Sequence, residues 1–171
     1  MKRPANKFAL IALGFSVIWI FIEHFLGLKS TRHNIGQYTN YLPIIIFSVV
    51  IFIVIYYERR SHGHTLTWME GFRVGAIMSL IYAAGFTFEI ILYNQYVNPD
   101  FCTSFKEFYM QQMQLQGATD DLIDAKMKVL DFAYGGSPLS YVTLFAFTFI
   151  WGAIVSAVSA LVWMKKPKAI A

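Results

Sequence analysis

Four long apolar segments constrain the fold of this chain more than any other feature. They cover residues 8–28, 41–57, 68–93 and 141–164, and the third is apolar from residue 72 onward. A helix needs about 20 mostly apolar residues to cross the hydrocarbon layer of a bilayer, and each segment reaches or approaches that length. The sequence therefore predicts an all-α membrane protein, in which residues 1–171 form a single domain with four transmembrane helices.

The composition favours the same class of protein. Of 171 residues, 57% are hydrophobic and 14% are charged, whereas about 25% of an average soluble domain is charged. The basic start followed by an apolar run resembles a secretory signal, but the run is too long and no small-residue cleavage site precedes Glu23, so we expect a first span. The single cysteine, Cys102, excludes an internal disulfide framework.

The positions of the lysines and arginines predict the orientation. If the four spans alternate, one side of the membrane carries most of the fourteen basic residues: Lys2, Arg3, Lys7, Arg59, Arg60, Arg73, Lys165, Lys166 and Lys168. The other side carries Lys29, Arg32, Lys106, Lys126 and Lys128. The positive-inside rule then places both termini and the 58–67 loop in the cytoplasm. The net charge of +4 is explained by anionic lipid headgroups, so we expect membrane lipids and no nucleic acid as partners.

The third span has a defined start and a regular pattern of small residues. Thr67 and Glu70 have the spacing of a capping box, in which each side chain bonds to the other residue's backbone amide. Small residues then recur every four positions, and a similar face is present on the fourth span, which predicts close packing of these two helices. The predicted packing residues are Gly71, Gly75, Ser79, Ala83, Gly152 and Ser156. The second span is almost uniformly large and apolar, which favours a lipid-facing position.

Residues 94–140 are too long for a simple turn and show helical periodicity. Asn98, Pro99 and Asp100 have the pattern of an N-cap, a first-turn proline and a first-turn acid. The first predicted amphipathic helix carries an apolar stripe of Phe101, Phe105, Phe108 and Leu115, and the second carries Ile123, Met127, Leu130 and Tyr134. Three lysines against six acids give this loop a net charge of 3 − 6 = −3, which disfavours an anionic lipid surface. Packing on the bundle and docking of a partner protein both remain open.

Sequence motifs for catalysis or metal binding do not stand out. His62 and His64 flank Gly63, but two loop histidines lack further ligands at a diagnostic spacing, so we expect no metal. The sequence has no nucleophile elbow, phosphate-binding loop or dinucleotide fingerprint. We therefore expect neither an enzyme nor a cofactor.

Glu23, His24 and Glu89 are polar residues within apolar segments. Glu23 and Glu89 stand at similar distances from the ends of their apolar runs, which predicts a matching depth. An ionisable group in hydrocarbon is costly and is a candidate functional site. One interpretation is a protonatable cluster that binds a proton, a cation or a cationic substrate. The other is that each acid only sets the register of the first and third spans.

Several short motifs resemble those of one family. They are Gly63-x-Thr65-Leu66-Thr67-x-x-Glu70-Gly71-Phe72-x-x-Gly75, then Asn98-Pro99-Asp100-Phe101, a glutamine-rich helix and a last span with a basic end. Together they resemble the domain of unknown function 4199 family, small four-span membrane proteins found mainly in Bacteroidota. The resemblance implies a bacterial inner membrane and a periplasmic loop 94–140, and it implies no catalytic or ligand-binding residue.

Two functions are consistent with these features. The first is a non-catalytic subunit or assembly partner of a membrane complex, with a protein partner or a second copy of the chain bound in the membrane. The alternative is a small oligomeric transporter, proton-coupled through Glu23, His24 and Glu89, because four spans alone enclose little volume.

Overall fold

The computed structural model describes residues 4–164, and the elements of this range are helices joined by turns and short loops. The basic residues outside the range, Lys2, Arg3, Lys165, Lys166 and Lys168, are therefore not placed. The helices are α1 (Pro4–Phe25), α2 (His33–Thr39), α3 (Leu42–Ser61), α4 (Trp68–Leu92) with a π-helical turn (Tyr93–Val97), α5 (Phe101–Leu115), α6 (Asp120–Tyr134) and α7 (Pro138–Trp163).

The prediction of four membrane-spanning helices is confirmed at the level of length and composition. Four helical stretches in the described part of the chain are long and apolar enough to cross a membrane: Pro4–Phe25, His33–Ser61, Trp68–Val97 and Pro138–Trp163. Two of them are longer than expected. Helix α2 replaces much of the predicted polar loop before α3, and the π-helical turn extends α4 beyond Tyr93.

Helices α3 and α4 form the centre of the bundle. They pack against each other, and each also packs against both α1 and α7. Phe47, Ile51, Val54 and Ile55 on α3 are fully buried, and the Phe47 ring stacks on Tyr82 of α4 with centroids 4.0 Å apart. The second span therefore buries one side in the core, whereas Ile45, Val49 and Ile53 on its other side are 54%, 49% and 43% exposed, so only that other side can face lipid. A uniformly apolar helix has no polar face to show which side enters the core.

Helices α4 and α7 run antiparallel along a seam of small residues. A Cβ on Gly71 would lie 3.1 Å from that of Ala160, and one on Gly75 would lie 2.6 Å from that of Ser156. One turn further along α4, a Cβ on Gly152 would lie 2.7 Å from that of Ser79. Ala83 is also buried. Each step of four residues along α4 thus meets a step of four back along α7, and only small side chains permit this approach.

Helices α1 and α4 run parallel. A Cβ on Gly85 would lie 2.8 Å from a methyl group of Leu13, and Ser16 bonds to Glu89 one turn further along. Ile20 and Tyr93 then share the second buried cluster. This register sets the depth of every polar group on the two helices.

Helices α5 and α6 form a helical hairpin between α4 and α7, and we call the adjoining end of the bundle the hairpin end. α5 begins at Phe101, later than predicted. Asn98 is not its N-cap: Asp100 holds that position, without a side-chain bond to the helix. The backbone N–H of Asn98 instead donates to the Tyr93 carbonyl at 2.9 Å, which closes the π-helical turn.

Candidate functional site: a buried polar cluster beside a cavity

A buried ion pair lies at the hairpin end. Lys29 Nζ is 3.2 Å from Glu23 Oε2, and the two side chains are 7% and 1% exposed. Gly27 makes this contact possible, because its φ of +71° ends α1 and turns the chain back toward Glu23. Burial lowers the pKa of Lys29, and the nearby Glu23 carboxylate opposes part of that effect.

Further hydrogen bonds to both charges come from the end of α2. Thr39 Oγ1 donates to Glu23 Oε1 at 2.5 Å, and Lys29 Nζ donates to Asn40 Oδ1 at 2.7 Å. A buried ion pair is stable only when such bonds offset the loss of water. The pair therefore joins the end of α1 to the end of α2.

Asn98 connects this pair to the third span. Its Nδ2 donates to the Lys29 carbonyl at 2.9 Å and to the Tyr93 hydroxyl at 3.2 Å. His24 Nδ1 also bonds to that hydroxyl, at 3.1 Å. We call Glu23, Lys29, Thr39, Asn40 and Asn98 the hairpin-end cluster. It links the end of α1, the turn after it and the end of α2 to Asn98, which is distant in sequence.

Helix α5 packs on the cluster and on α2 through its aromatic stripe. Lys29 Nζ lies 4.9 Å from the centroid of the Phe101 ring, a cation–π contact. His33 Nε2 bonds to Ser104 Oγ at 3.0 Å, and its ring lies edge-on to Phe105. Phe101 and Phe105 are buried. These residues therefore pack on the bundle.

The remaining two residues of the predicted α5 stripe, Phe108 and Leu115, differ in how far they are buried. The Phe108 ring lies 5.7 Å from that of His33 and is half-buried. Leu115, in contrast, is 89% exposed near the tip of the hairpin. The stripe is thus not one continuous exposed face.

Glu89 lies away from the hairpin-end cluster. Its Oε2 accepts a hydrogen bond from Ser16 Oγ at 2.6 Å, and Ser16 precedes Glu23 by seven residues, about 10 Å of helix. The predicted matching depth of the two acids is therefore wrong. The prediction counted each acid from the end of its apolar run, whereas the π-helical turn carries the third span on to Val97. Glu23 and His24 lie together, and Glu89 is a separate half-buried group between α1 and α4.

A cavity of about 350 Å³ adjoins the hairpin-end cluster. Glu23, Lys29 and Asn40 contribute to its wall, and residues of α1, α3, α4, α6 and α7 enclose the rest. Most of the wall is aromatic or aliphatic: Ile44, Tyr82, Phe86, Tyr134, Leu144 and Phe147. The volume falls at the lower end of the range of small-molecule sites.

Helix α6 exposes a second apolar face, which the sequence did not indicate. Ile123 and Leu130 are buried against the rest of the protein, whereas Leu122, Val129 and Phe132 are 56%, 59% and 49% exposed. The spacing of seven and three residues places these three on one side of the helix. We call them the α6 outer face.

The loop histidines lie at the opposite end of the bundle. His62 Nδ1 is 3.8 Å from Glu58 Oε1; Glu58 lies in the last turn of α3, and His62 is the C-cap residue of that helix. Within residues 4–164, no group of three or more histidine, cysteine or acidic side chains is arranged to hold a metal ion.

A family model described as "Protein of unknown function (DUF4199)" matches residues 7–165. The chain belongs to this family. No curated protein and no solved structure matches it.

The motifs that suggested DUF4199 lie at helix starts and contacts. Thr67 and Glu70 form the capping box of α4: Glu70 N donates to Thr67 Oγ1 at 3.3 Å, and Thr67 N donates to Glu70 Oε2 at 2.8 Å. Gly71 and Gly75 follow directly and lie on the seam with α7. Asn98 belongs to the hairpin-end cluster. In this DUF4199 chain the motifs therefore specify helix boundaries and packing.

The sequence did not indicate Lys29 and Thr39 as partners of Glu23, or Asn40 as a partner of Lys29. Lys29 was counted only as a charge outside the membrane, since nothing in its neighbourhood shows that it is buried. The available signal was Gly27 between Glu23 and Lys29, because a glycine after a helix permits the reversal that brings the two together. Thr39 and Asn40 gave no comparable signal.

Proposed function

We propose that this protein is a non-catalytic subunit of a membrane complex and that it binds a partner protein through the α6 outer face. We further propose that it lies in the bacterial inner membrane with both termini in the cytoplasm and the α5–α6 hairpin in the periplasm. Arg59, Arg60 and Arg73, at the end opposite the hairpin, support this orientation.

The α6 outer face is the observation that carries the proposal. Three large apolar side chains there are about half exposed or more, although the other face of the same helix is buried. Exposed apolar residues that recur on one helix face are typical of a surface that docks another protein.

Charge favours a protein over the lipid surface as the occupant of this face. Asp120, Asp121 and Asp124 on α6 are exposed and exceed Lys126 and Lys128 in number, and Asp131 is paired with Lys106 of α5. Anionic headgroups repel such a surface. A partner with an apolar groove and a basic rim is complementary to it.

Site-specific photo-crosslinking in native membranes tests the proposal. A benzophenone amino acid at Val129 should form an adduct that mass spectrometry identifies as one protein. The same amino acid at Asp124, which is also exposed but lies about 140° from Val129 around the helix, should not. Equal adducts from both positions, or adducts with lipid alone, would exclude this docking surface. Two differently tagged copies of the chain distinguish a second copy from another protein.

Proton-coupled transport is the alternative function, and the position of the Glu89 carboxyl within a span favours it. The carboxyl is half-buried inside a span and bonds to Ser16. Intramembrane acids of this kind often mark proton or ion pathways. Proton flux into proteoliposomes should then be lost with Glu89→Gln and retained with Glu58→Gln, which changes an acid near the end of α3. If the unaltered protein gives no proton flux, transport is contradicted.

A further inference from the structure

We propose that the cavity beside the hairpin-end cluster binds the headgroup of a neutral single-chain lipid, such as a monoacylglycerol. This site is separate from the α6 outer face, because none of Leu122, Val129 and Phe132 lines the cavity. The tests of the two proposals can therefore fail independently.

The cavity changes in polarity along its length. At the hairpin end its wall contains Lys29, Asn40 and the phenol rings of Tyr134 and Tyr141. Deeper in the bundle most of the wall is apolar, with Ile44, Phe86, Leu144 and Phe147, and its polar side chains there are Tyr82, Thr143 and Thr148. A membrane lipid changes from polar to apolar in the same direction, from its headgroup into the hydrocarbon. The cavity thus fits an amphiphile whose head faces the hairpin.

Two wall residues, Tyr41 at the start of α3 and Phe147 on α7, are 61% and 59% exposed, more than Tyr134 at the hairpin end, which is 39% exposed. We therefore place the mouth of the cavity between the start of α3 and α7. Phe147 lies within a span, where the surrounding medium is lipid. A ligand therefore reaches the cavity sideways from the membrane, and its chain can remain partly in the lipid.

The charges in the wall select an uncharged head. Glu23 and Lys29 are the charged residues of the described wall, and they pair with each other at 3.2 Å. A phosphate or carboxylate head would enter a buried site without a free cation, which is costly. Phenol hydroxyls, in contrast, donate to and accept from alcohols.

The volume limits the ligand to one chain. About 350 Å³ is near the lower bound of roughly 300 Å³ for ligand sites. It accommodates a small head and the first part of one chain. The cavity has no room for both chains of a phospholipid.

Photolabelling of the full-length protein in phosphatidylcholine vesicles tests this proposal. The probe is a monoacylglycerol with a diazirine in its acyl chain, and labelled peptides are mapped by mass spectrometry. Labelling should fall on the α3, α4 and α7 segments that line the cavity. Unlabelled 1-oleoylglycerol should compete, whereas oleate, with its charged head, should not. Equal competition by oleate, or labelling spread evenly over the lipid-facing surface, would overturn the proposal.

Two variants separate the cavity from the outer surface. Leu144→Trp places an indole in the wall, and labelling should fall about tenfold because the ring fills the space of the ligand. Leu161→Trp makes the same change at a lipid-facing position of α7 that does not line the cavity, and labelling should not change. Equal labelling of the two variants would exclude the cavity as the site.

A milder variant tests the same site in case Leu144→Trp does not fold. Tyr134→Phe combined with Tyr141→Phe keeps the shape of the wall and removes two hydroxyls. Labelling should fall about fivefold, in line with the loss of one or two hydrogen bonds to the head. Unchanged labelling would show that the ligand head is not held at this end.

Discussion

The seam between α4 and α7 and the hairpin-end cluster both hold the spans together, but they do so by different interactions. The seam depends on the absence of side-chain atoms, so that Gly75 approaches Ser156 and Gly152 approaches Ser79. The cluster depends on polar groups that satisfy one another, with a buried pair at its centre. The seam therefore tolerates no added volume, and the cluster tolerates no lost partner.

The largest expected effect is at the cluster. Lys29→Met should destabilise the protein by about 3–5 kcal/mol, because Glu23 would remain buried without its counter-charge. Unfolding titrations in detergent micelles measure this loss. The matched control is Lys106→Met, which breaks a more exposed ion pair with Asp131 and should cost about 1 kcal/mol or less. Equal losses of stability from the two variants would mean that the buried pair contributes no more than an exposed one.

Replacing both members of the pair sharpens the same comparison. The double variant Glu23→Gln, Lys29→Met removes the buried carboxylate charge of Glu23 together with the lysine that pairs with it. It should recover about half or more of the stability lost in Lys29→Met, since most of that loss comes from an uncompensated charge. A double variant less stable than Lys29→Met would contradict this account.

The seam should show the next largest effect. Gly75→Val should cost about 1–3 kcal/mol or more, because the new Cβ would lie 2.6 Å from that of Ser156 and both belong to helix backbones that cannot easily move apart. Thermal unfolding in micelles is the measurement. Gly14→Val is the control, since a Cβ there meets no atom within 4 Å. A loss of stability in Gly14→Val as large as in Gly75→Val would refute the seam.

Asn98→Ala should have a smaller effect with a distinct location. It removes the bonds to the Lys29 carbonyl and the Tyr93 hydroxyl, at a cost of about 1–3 kcal/mol. Hydrogen exchange should increase in the π-helical turn and at the start of α5. The exposed Asn34→Ala should leave exchange there unchanged. Faster exchange confined to α5 would favour the N-cap role that the sequence suggested.

The smallest effect is expected at the start of α4. Thr67→Ala removes one half of the capping box and should cost about 1 kcal/mol. Thr103→Ala, at an exposed position of α5, should change stability by about 0.5 kcal/mol or less. Thermal unfolding of the two variants side by side decides this, and no difference between them would show that the cap contributes little.

The seam could be predicted because its information is periodic. Gly71, Gly75, Ser79 and Ala83 recur at the helical spacing, and a second helix with the same pattern is the natural counterpart. The capping box of Thr67 and Glu70 is likewise local, since both residues fall within one turn. Such signals need no knowledge of the rest of the fold.

The hairpin-end cluster could not be predicted in the same way. Thr39, Asn40 and Asn98 meet Glu23 and Lys29 only after the helices between them have folded back on one another, and none of them has a periodic partner. The depth of Glu89 depends on the parallel register of α1 and α4 and on the length of the π-helical turn. The burial of α3 depends on which helices surround it, because an apolar sequence is compatible with lipid and with a protein core.

The sequence by itself determined the four spans, the start of α4, the small-residue faces and the membership of the family, because hydrophobic length, capping and periodicity are local properties of the chain. The tertiary structure decided which acid is paired, which helix is central and where the cavity lies. These depend on how the helices are aligned against one another. That alignment is the sum of many contacts between distant residues, and no single stretch of the sequence encodes it.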